Sequence, residues 1–315
     1  MKGVIIRKDM KGLELSRAYF EAYGRELIAR FDPEAERISA GLIGYGSECM
    51  GYDDELSADH DFEPRFYLWI DEKTEREIGF RLMRAYNALP REFMGYGRSL
   101  HSLYGADRGG VVTVKDFFES FTGLGRLPES AGEWLRIPEY ALNAATNGEI
   151  FVNGSEEFKR YRETLKNGMP EDVRRKKLAA RLAVMAQAGQ YNYPRLLKRG
   201  DSGAAALAAA EFVTKGLEVL FILNKKYAPY YKWLFRAARE LEIAGELTDD
   251  FEYVVNAPQS EEKAERIERV SAAIIAELKR QGYSSSRDSY LEAHAVSVNS
   301  LIRDKDLIGL HLMEG

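Results

Sequence analysis

The chain has 315 residues, 45% of them hydrophobic and 30% charged, with a net charge of −5. That length suits two domains better than one core, and the acidic balance argues against a general nucleic-acid binder, which carries a basic domain. The single cysteine, Cys49, excludes an internal disulfide framework and fits a reducing compartment as a small filler residue. The apolar run within Met1–Arg7 is too short for a signal peptide. The apolar stretch from Gly203 to Leu223 carries Glu211, Lys215 and Glu218, so it reads as a bundle helix rather than a membrane span. The expected location is cytoplasmic.

In chain order, Leu15, Tyr19, Tyr23 and Leu27 recur at helical spacing and predict a helix over 13–31, stopped by Asp32-Pro33. A short apolar strand over 38–43 follows, then a second over 66–70 that continues from Asp61 despite Pro64. A helix over 74–88 ends at Leu89-Pro90. Residues 91–110 form a loop rich in glycine and tyrosine, of a length often used for binding. A third strand over 110–114 leads into a helix starting at Asp116. Residues 127–153, with two prolines and two glycines, read as an irregular bridge. Beyond them the pattern is helical: 171–188, 204–223, 231–243 after Pro229, 264–278 and 289–303. Short connections favour an antiparallel bundle. No repeats or low-complexity segments interrupt it.

The most informative stretch runs from Gly41 to Phe62. An apolar run ends in glycines and Ser47; eleven residues lie between Ser47 and Asp59, and Asp61 follows two further on. In an extended chain residues two apart point the same way, so Asp59 and Asp61 aim two hard oxygen ligands at one spot while His60 faces away. Such a pair suits Mg²⁺ (or Mn²⁺), which is held by one or two carboxylates plus substrate phosphates. Gly46 lets backbone approach a ligand, and amides around Ser47 can cradle phosphate oxygens. Asp53, Asp54 and Glu55 read as solvated turn residues. No Gly-x-x-x-x-Gly-Lys-Ser/Thr loop, Gly-x-Ser-x-Gly elbow or dinucleotide fingerprint is present.

The pattern Gly46-Ser47, Gly51, Asp59-x-Asp61 resembles the signature of the nucleotidyltransferase superfamily with the DNA-polymerase-β-like fold, which includes kanamycin and other aminoglycoside nucleotidyltransferases. Many members place Ser directly before the first Asp, whereas Ser57 here stands two before Asp59. The chain is also similar to a bacterial branch of that superfamily catalogued as a domain of unknown function. That likeness rests on Glu63-Pro-Arg65, Val114-Lys-Asp-Phe-Phe118, Arg199-Gly-Asp201, Tyr227-Ala-Pro-Tyr-Tyr-Lys-Trp233 and His311-Leu-Met-Glu-Gly315. The resemblance implies an α+β chain: a nucleotidyltransferase domain with a mixed sheet over 1–126, a bridge over 127–153 and a helical bundle over 154–315. It implies Mg²⁺-dependent transfer of a nucleoside monophosphate, most simply AMP from ATP, to a hydroxyl, with release of pyrophosphate.

In that reading Asp59 and Asp61 hold metal, and Gly46 and Ser47 hold the triphosphate of ATP or another nucleoside triphosphate. Two metals about 4 Å apart would clamp attacking and leaving oxygens. The superfamily adds a third carboxylate on the next strand, yet Val111-Val-Thr-Val114 contains no acid, which leaves the general base unassigned. Glu211 and Glu218 are analogous to a glutamate base in aminoglycoside-modifying relatives; ordinary bundle surface is the other reading. Lys232, beside Tyr230 and Tyr231, either reaches a nucleotide while a tyrosine stacks on the base, or belongs to a helix cap with its aromatics packed inward. Arg199 and Asp201 are a salt-linked loop or a substrate contact. The basic run Arg174–Lys177 reads as a solvated face. The acceptor is a small molecule or a protein hydroxyl rather than RNA, given the acidic charge; oligomeric state is not encoded. The alternative function is a degenerate module of the same fold that binds nucleotide or a protein partner without turnover.

Overall fold

The computed structural model describes residues 10–55, 62–98 and 109–315. The chain is α+β, mostly helical, with a small mixed sheet and a helical C-terminal region. It divides into two compact units, Met1–Leu127 with Ala141–Gly168, and Pro128–Tyr140 with Met169–Gly315. Among the described residues no helix is long and apolar enough to cross a membrane.

The first unit is built on strands β1 (Ser39–Leu42), β2 (Tyr67–Ile70), β3 (Glu92–Phe93), β4 (Tyr96–Gly97), β5 (Gly110–Thr113) and β6 (Glu149–Asn153). Four of them form one sheet in the order β5-β2-β1-β6, and β3-β4 is a separate hairpin. β1 runs antiparallel to both β2 and β6, while β2 and β5 are parallel. All four residues of β1 are buried, as its position inside the sheet requires. β2 begins at Tyr67, directly after Phe66, whose N donates to the Tyr86 hydroxyl at 3.4 Å rather than to a neighbouring strand.

The amphipathic pattern near the amino terminus folds as helix Gly12–Tyr19, a π-helical turn Phe20–Gly24, and helix Arg25–Ala29. Its stripe Leu15, Tyr19, Phe20 and Leu27 is buried. Phe66 forms edge-on contacts with Phe20 at 5.2 Å and Tyr86 at 5.1 Å. Tyr86 donates to Phe66 O at 2.8 Å, and burial raises its phenol pKa. Trp69 stacks on Phe158 at 4.3 Å. Burying each such ring is worth roughly 2–3 kcal/mol, which fixes the sheet on which the turn after β1 is mounted.

The stretch 127–153, expected to be irregular, holds helix Ala131–Arg136, helix Glu139–Thr146 and strand β6. Pro128 and Pro138 precede the two helices and Gly148 directly precedes β6. Ser130 Oγ accepts from Glu133 N at 3.2 Å and Glu133 Oε2 accepts from Ser130 N at 3.3 Å, a capping box that starts the first helix.

The second unit packs helices Glu171–Met185, Tyr193–Arg199, Ser202–Leu223, Thr248–Asn256, Glu261–Arg280 and Leu291–Asn299, with Phe212, Phe251, Ile267 and Ile274 in its core. Two helices are shorter than their periodicity predicts. Instead of 231–243, a 3₁₀ turn Tyr231–Trp233 leads to helix Leu234–Ala238. Asn224 holds the backbone of Ile243 at both N and O, at 3.0 and 2.9 Å, taking it out of any helical ladder. Instead of 289–303, the helix ends at Asn299, because Asp172 Oδ2 accepts from Arg303 N and Asp304 N, both at 2.8 Å.

Candidate functional site

β1 ends at Leu42 and the chain turns through Ile43-Gly44-Tyr45-Gly46 into the single helical turn Ser47–Met50. Gly46 is its N-cap and contributes no side-chain cap, so the first amides around Ser47 are not consumed by one. A Cβ on Gly46 would fall 2.2–2.4 Å from the carboxylate of Glu48, which folds back over the turn. That carboxylate accepts from Arg65 Nη2 at 2.8 Å, with both side chains largely buried. Burial opposes the charge on Arg65, but the charge and hydrogen bond of Glu48, joined by Glu63 and Cys49, leave the guanidinium pKa raised.

Asn147 clamps the same turn. Its Oδ1 accepts from Gly44 N at 3.0 Å and its Nδ2 donates to Gly44 O at 2.8 Å. Gly148 N donates to Cys49 O at 3.0 Å. Gly148 has φ +63°, and a Cβ there would lie 2.1 Å from Leu42 O, so only glycine fits this approach. Arg162 donates to Thr146 O at 2.5 Å and Asn147 O at 3.1 Å, holding the clamp from behind; burial lowers its pKa.

The expectation that Asp53 is a solvated turn residue is overturned. Asp53 is 3% exposed; its Oδ2 accepts from Gly12 N at 2.6 Å, and Lys11 Nζ bonds its carbonyl and lies 3.8 Å from Oδ1. It anchors the first helix to the turn, a long-range role that local charge patterning does not disclose. Glu48 was also missed, although it directly follows Ser47.

Asp59, His60 and Asp61 lie outside the described residues. The ring of Phe62 would lie 3.2 Å from a Cβ on Gly12, and the same Cβ would lie 2.9 Å from Glu48 Cβ. Gly41 pairs with Tyr67 across the antiparallel β1–β2 ladder, and Tyr67 pairs with Gly110. The end of β1 and the starts of β2 and β5 therefore share one sheet edge. β5 itself, Gly110-Val-Val-Thr113, supplies no acid there; Thr113 caps the following helix by accepting from Asp116 N at 3.1 Å. Among the described residues no group of three or more His, Cys, Asp or Glu side chains could hold a metal ion.

Lys232 and Tyr230 belong to the second unit. Both are exposed, with Lys232 Nζ 5.0 Å over the Trp233 ring. The Tyr230 ring contacts Tyr231 at 4.6 Å and Tyr140 at 5.8 Å. Tyr230 and Tyr231 are 45% and 70% exposed, so they are not packed inward. Asp201 caps helix Ser202–Leu223 by accepting from Ala204 N at 3.0 Å, which accounts for it without substrate. Glu211 is exposed bundle surface.

Two other readings in this unit are corrected. The basic run is not a solvated face: Arg174 and Arg175 pair with Glu171 and Asp172, but Lys176 and Lys177 are buried. Glu218 is not plain surface: it meets Arg181 Nε at 2.8 Å and Lys215 Nζ at 3.2 Å, and Arg181 Nη2 also binds Glu139 Oε2 at 2.7 Å. Lys177 donates to Ile137 O at 3.2 Å beside this network, and burial pulls its pKa down to about 8 despite Glu139 and Glu218. Charge runs look alike whether solvated or buried; only the packing of helix Glu171–Met185 separates them.

A family model described as "Domain of unknown function (DUF4037)" matches residues 134–234. The matched stretch contains Glu139, Lys177, Arg181, Glu218, Tyr230 and Lys232 and leaves out the Gly46–Asp61 region. No curated protein and no solved structure matches the chain.

Proposed function

We propose that the chain is a Mg²⁺-dependent nucleotidyltransferase that moves a nucleoside monophosphate, most simply AMP from ATP, to a hydroxyl acceptor and releases pyrophosphate. One observation carries the reading. The antiparallel pairing of β1 with β2, locked by the Glu48–Arg65 ion pair, ties the Gly46-Ser47 turn to Arg65, four residues after Asp61 and two before β2 begins. The turn and the residues that follow Asp61 are thereby held at one end of the sheet, which is what supports reading the turn and the acidic pair as one site.

The donor chemistry suits the metal. Glu48 is committed to Arg65 and Asp53 to Gly12, so Asp59 and Asp61 would be the hard oxygen ligands. A bound Mg²⁺ would neutralise charge developing on the transferred phosphoryl group. The protein's own part is positioning: amides around Gly46 and Ser47 bind phosphate oxygens, and Asn147 and Arg65 hold that turn still. Lys232 and Tyr230, exposed on the other unit, are proposed as nucleotide contacts in their own right, with the ammonium binding phosphate and the ring stacking on a base.

The absence of an acid on β5 favours a second reading, a domain that binds nucleotide or a protein partner without turnover. The test is pyrophosphate release from ATP with Mg²⁺ across a panel of polyol, amino-alcohol and protein acceptors. Release that disappears in Asp59→Ala supports the transferase. Tight ATP binding with no release from any acceptor supports the non-catalytic module.

A further inference from the structure

In the second unit, helix Glu171–Met185 does not stop but continues as seven residues of π-helix, Ala186–Asn192. π-Helical segments widen the helix locally and concentrate at functional sites. This one forms a wall of a cavity of about 300 Å³, at the lower end of the range for small-molecule sites. Gln187 and Tyr191 line it from the π-helix, Tyr290 and Glu292 from the start of helix Leu291–Asn299, and His311 and Met313 from the segment beyond.

The walls are fixed. Gln190 Oε1 accepts from Leu291 N at 2.8 Å and Gln190 Nε2 donates to Glu268 at 2.7 Å, joining the π-helix to its neighbours. Lys176 Nζ donates to His311 O at 2.6 Å, holding the third wall. The cavity lies between the π-helix, the start of helix Leu291–Asn299 and the turn at His311–Met313, and it opens to solvent at Tyr191, Glu292 and His311.

Its chemistry is one-sided. The formally charged residue among those lining it is Glu292, with no lysine or arginine in the lining. Arg195 stands nearby but stacks 3.9 Å over the Tyr191 ring and donates to the Tyr191 hydroxyl at 2.5 Å. The Tyr290 hydroxyl has a raised pKa: burial comes first, then Glu292, Tyr191 and Glu268, against the smaller opposing effect of Arg195. A carboxylate with tyrosine rings is the combination that receives an organic cation, the ring faces attracting an ammonium while the carboxylate neutralises it. An anion would meet Glu292 without a compensating base.

We propose that this cavity is a binding site for a small organic ammonium ion, seated between the Tyr290 ring and the Glu292 carboxylate, with Tyr191 and His311 completing the wall. The site stands apart from the proposed transferase chemistry and does not depend on it.

The test uses choline and its neutral isostere 3,3-dimethyl-1-butanol, titrated calorimetrically into the full chain. Choline is expected to bind at least about threefold more tightly than the alcohol, the margin for an exposed carboxylate beside a half-buried ring. Glu292→Gln should abolish that preference and Tyr290→Ala should weaken choline at least as much. Tyr290→Phe, which keeps the ring, should preserve it; both Tyr290 variants are checked by circular dichroism for an unchanged fold. Equal binding of choline and the alcohol, binding of neither, or a preference that survives Glu292→Gln would each overturn the proposal.

Discussion

At Gly46 the space a methyl group needs is already taken by the Glu48 carboxylate, so Gly46, Glu48 and Arg65 act as one unit. Gly46→Ala should force that carboxylate away from Arg65, leaving a buried guanidinium without its partner, and lower stability by roughly 1–3 kcal/mol. In a Glu48→Ala background the obstacle is gone, so Gly46→Ala should then change stability by less than about 0.5 kcal/mol. Urea unfolding of the four proteins checks the cycle; additive losses would show that the two sites are not coupled. The importance of Gly46 is visible in the sequence, but its steric reason is not, because Glu48 and Arg65 are 17 residues apart. Asp53 is the converse case: its neighbours Asp54 and Glu55 suggest a wet turn, while the side chain is buried against Gly12.

At the scale of elements, periodicity finds the long helices Glu171–Met185, Ser202–Leu223 and Glu261–Arg280, passes over Glu139–Thr146, Glu156–Asn167 and Thr248–Asn256, and is a poor guide to where helices stop. Helix Ser202–Leu223 matches its apolar spacing because Asp201 starts it locally. The helices ending at Ala238 and Asn299 are truncated by Asn224 and Asp172, both distant in sequence. The Ser130–Glu133 box was legible as Ser-x-x-Glu, yet the surrounding glycines and prolines masked it. Helix Glu171–Met185 yields a pH prediction through Lys177, whose pKa is lowered to about 8 by burial. Below pH 8 the lysine is charged in both folded and unfolded chains. Between about pH 8 and its ordinary value near 10.4, the unfolded chain binds the proton and the folded chain does not, so stability rises with pH. Lys177→Met removes this dependence. Relative to the Met variant, the wild type should therefore gain up to about 3 kcal/mol between pH 7.5 and 10.5, measured by thermal unfolding in matched buffers. A flat difference would show that the ammonium is not desolvated.

For the whole molecule, the α+β class and the helical C-terminal region follow from where apolar periodicity changes along the chain. The convergence of the Gly46-Ser47 turn with the entry to β2 does not; it comes from strand pairing, which no local pattern encodes. Each unit carries its own features, the clamped Gly46-Ser47 turn in one, and a buried ionic network and a tyrosine-lined cavity with one carboxylate in the other. The central claim concerns the first. Its most direct test is calorimetric titration of ATP into the wild-type chain and into Asp59→Ala and Asp61→Ala, each with Mg²⁺ and with EDTA. Binding that requires Mg²⁺ in the wild type and weakens at least about tenfold in both variants is predicted. ATP affinity that is indifferent to Mg²⁺ and to both aspartates, or no ATP binding at all, would contradict it.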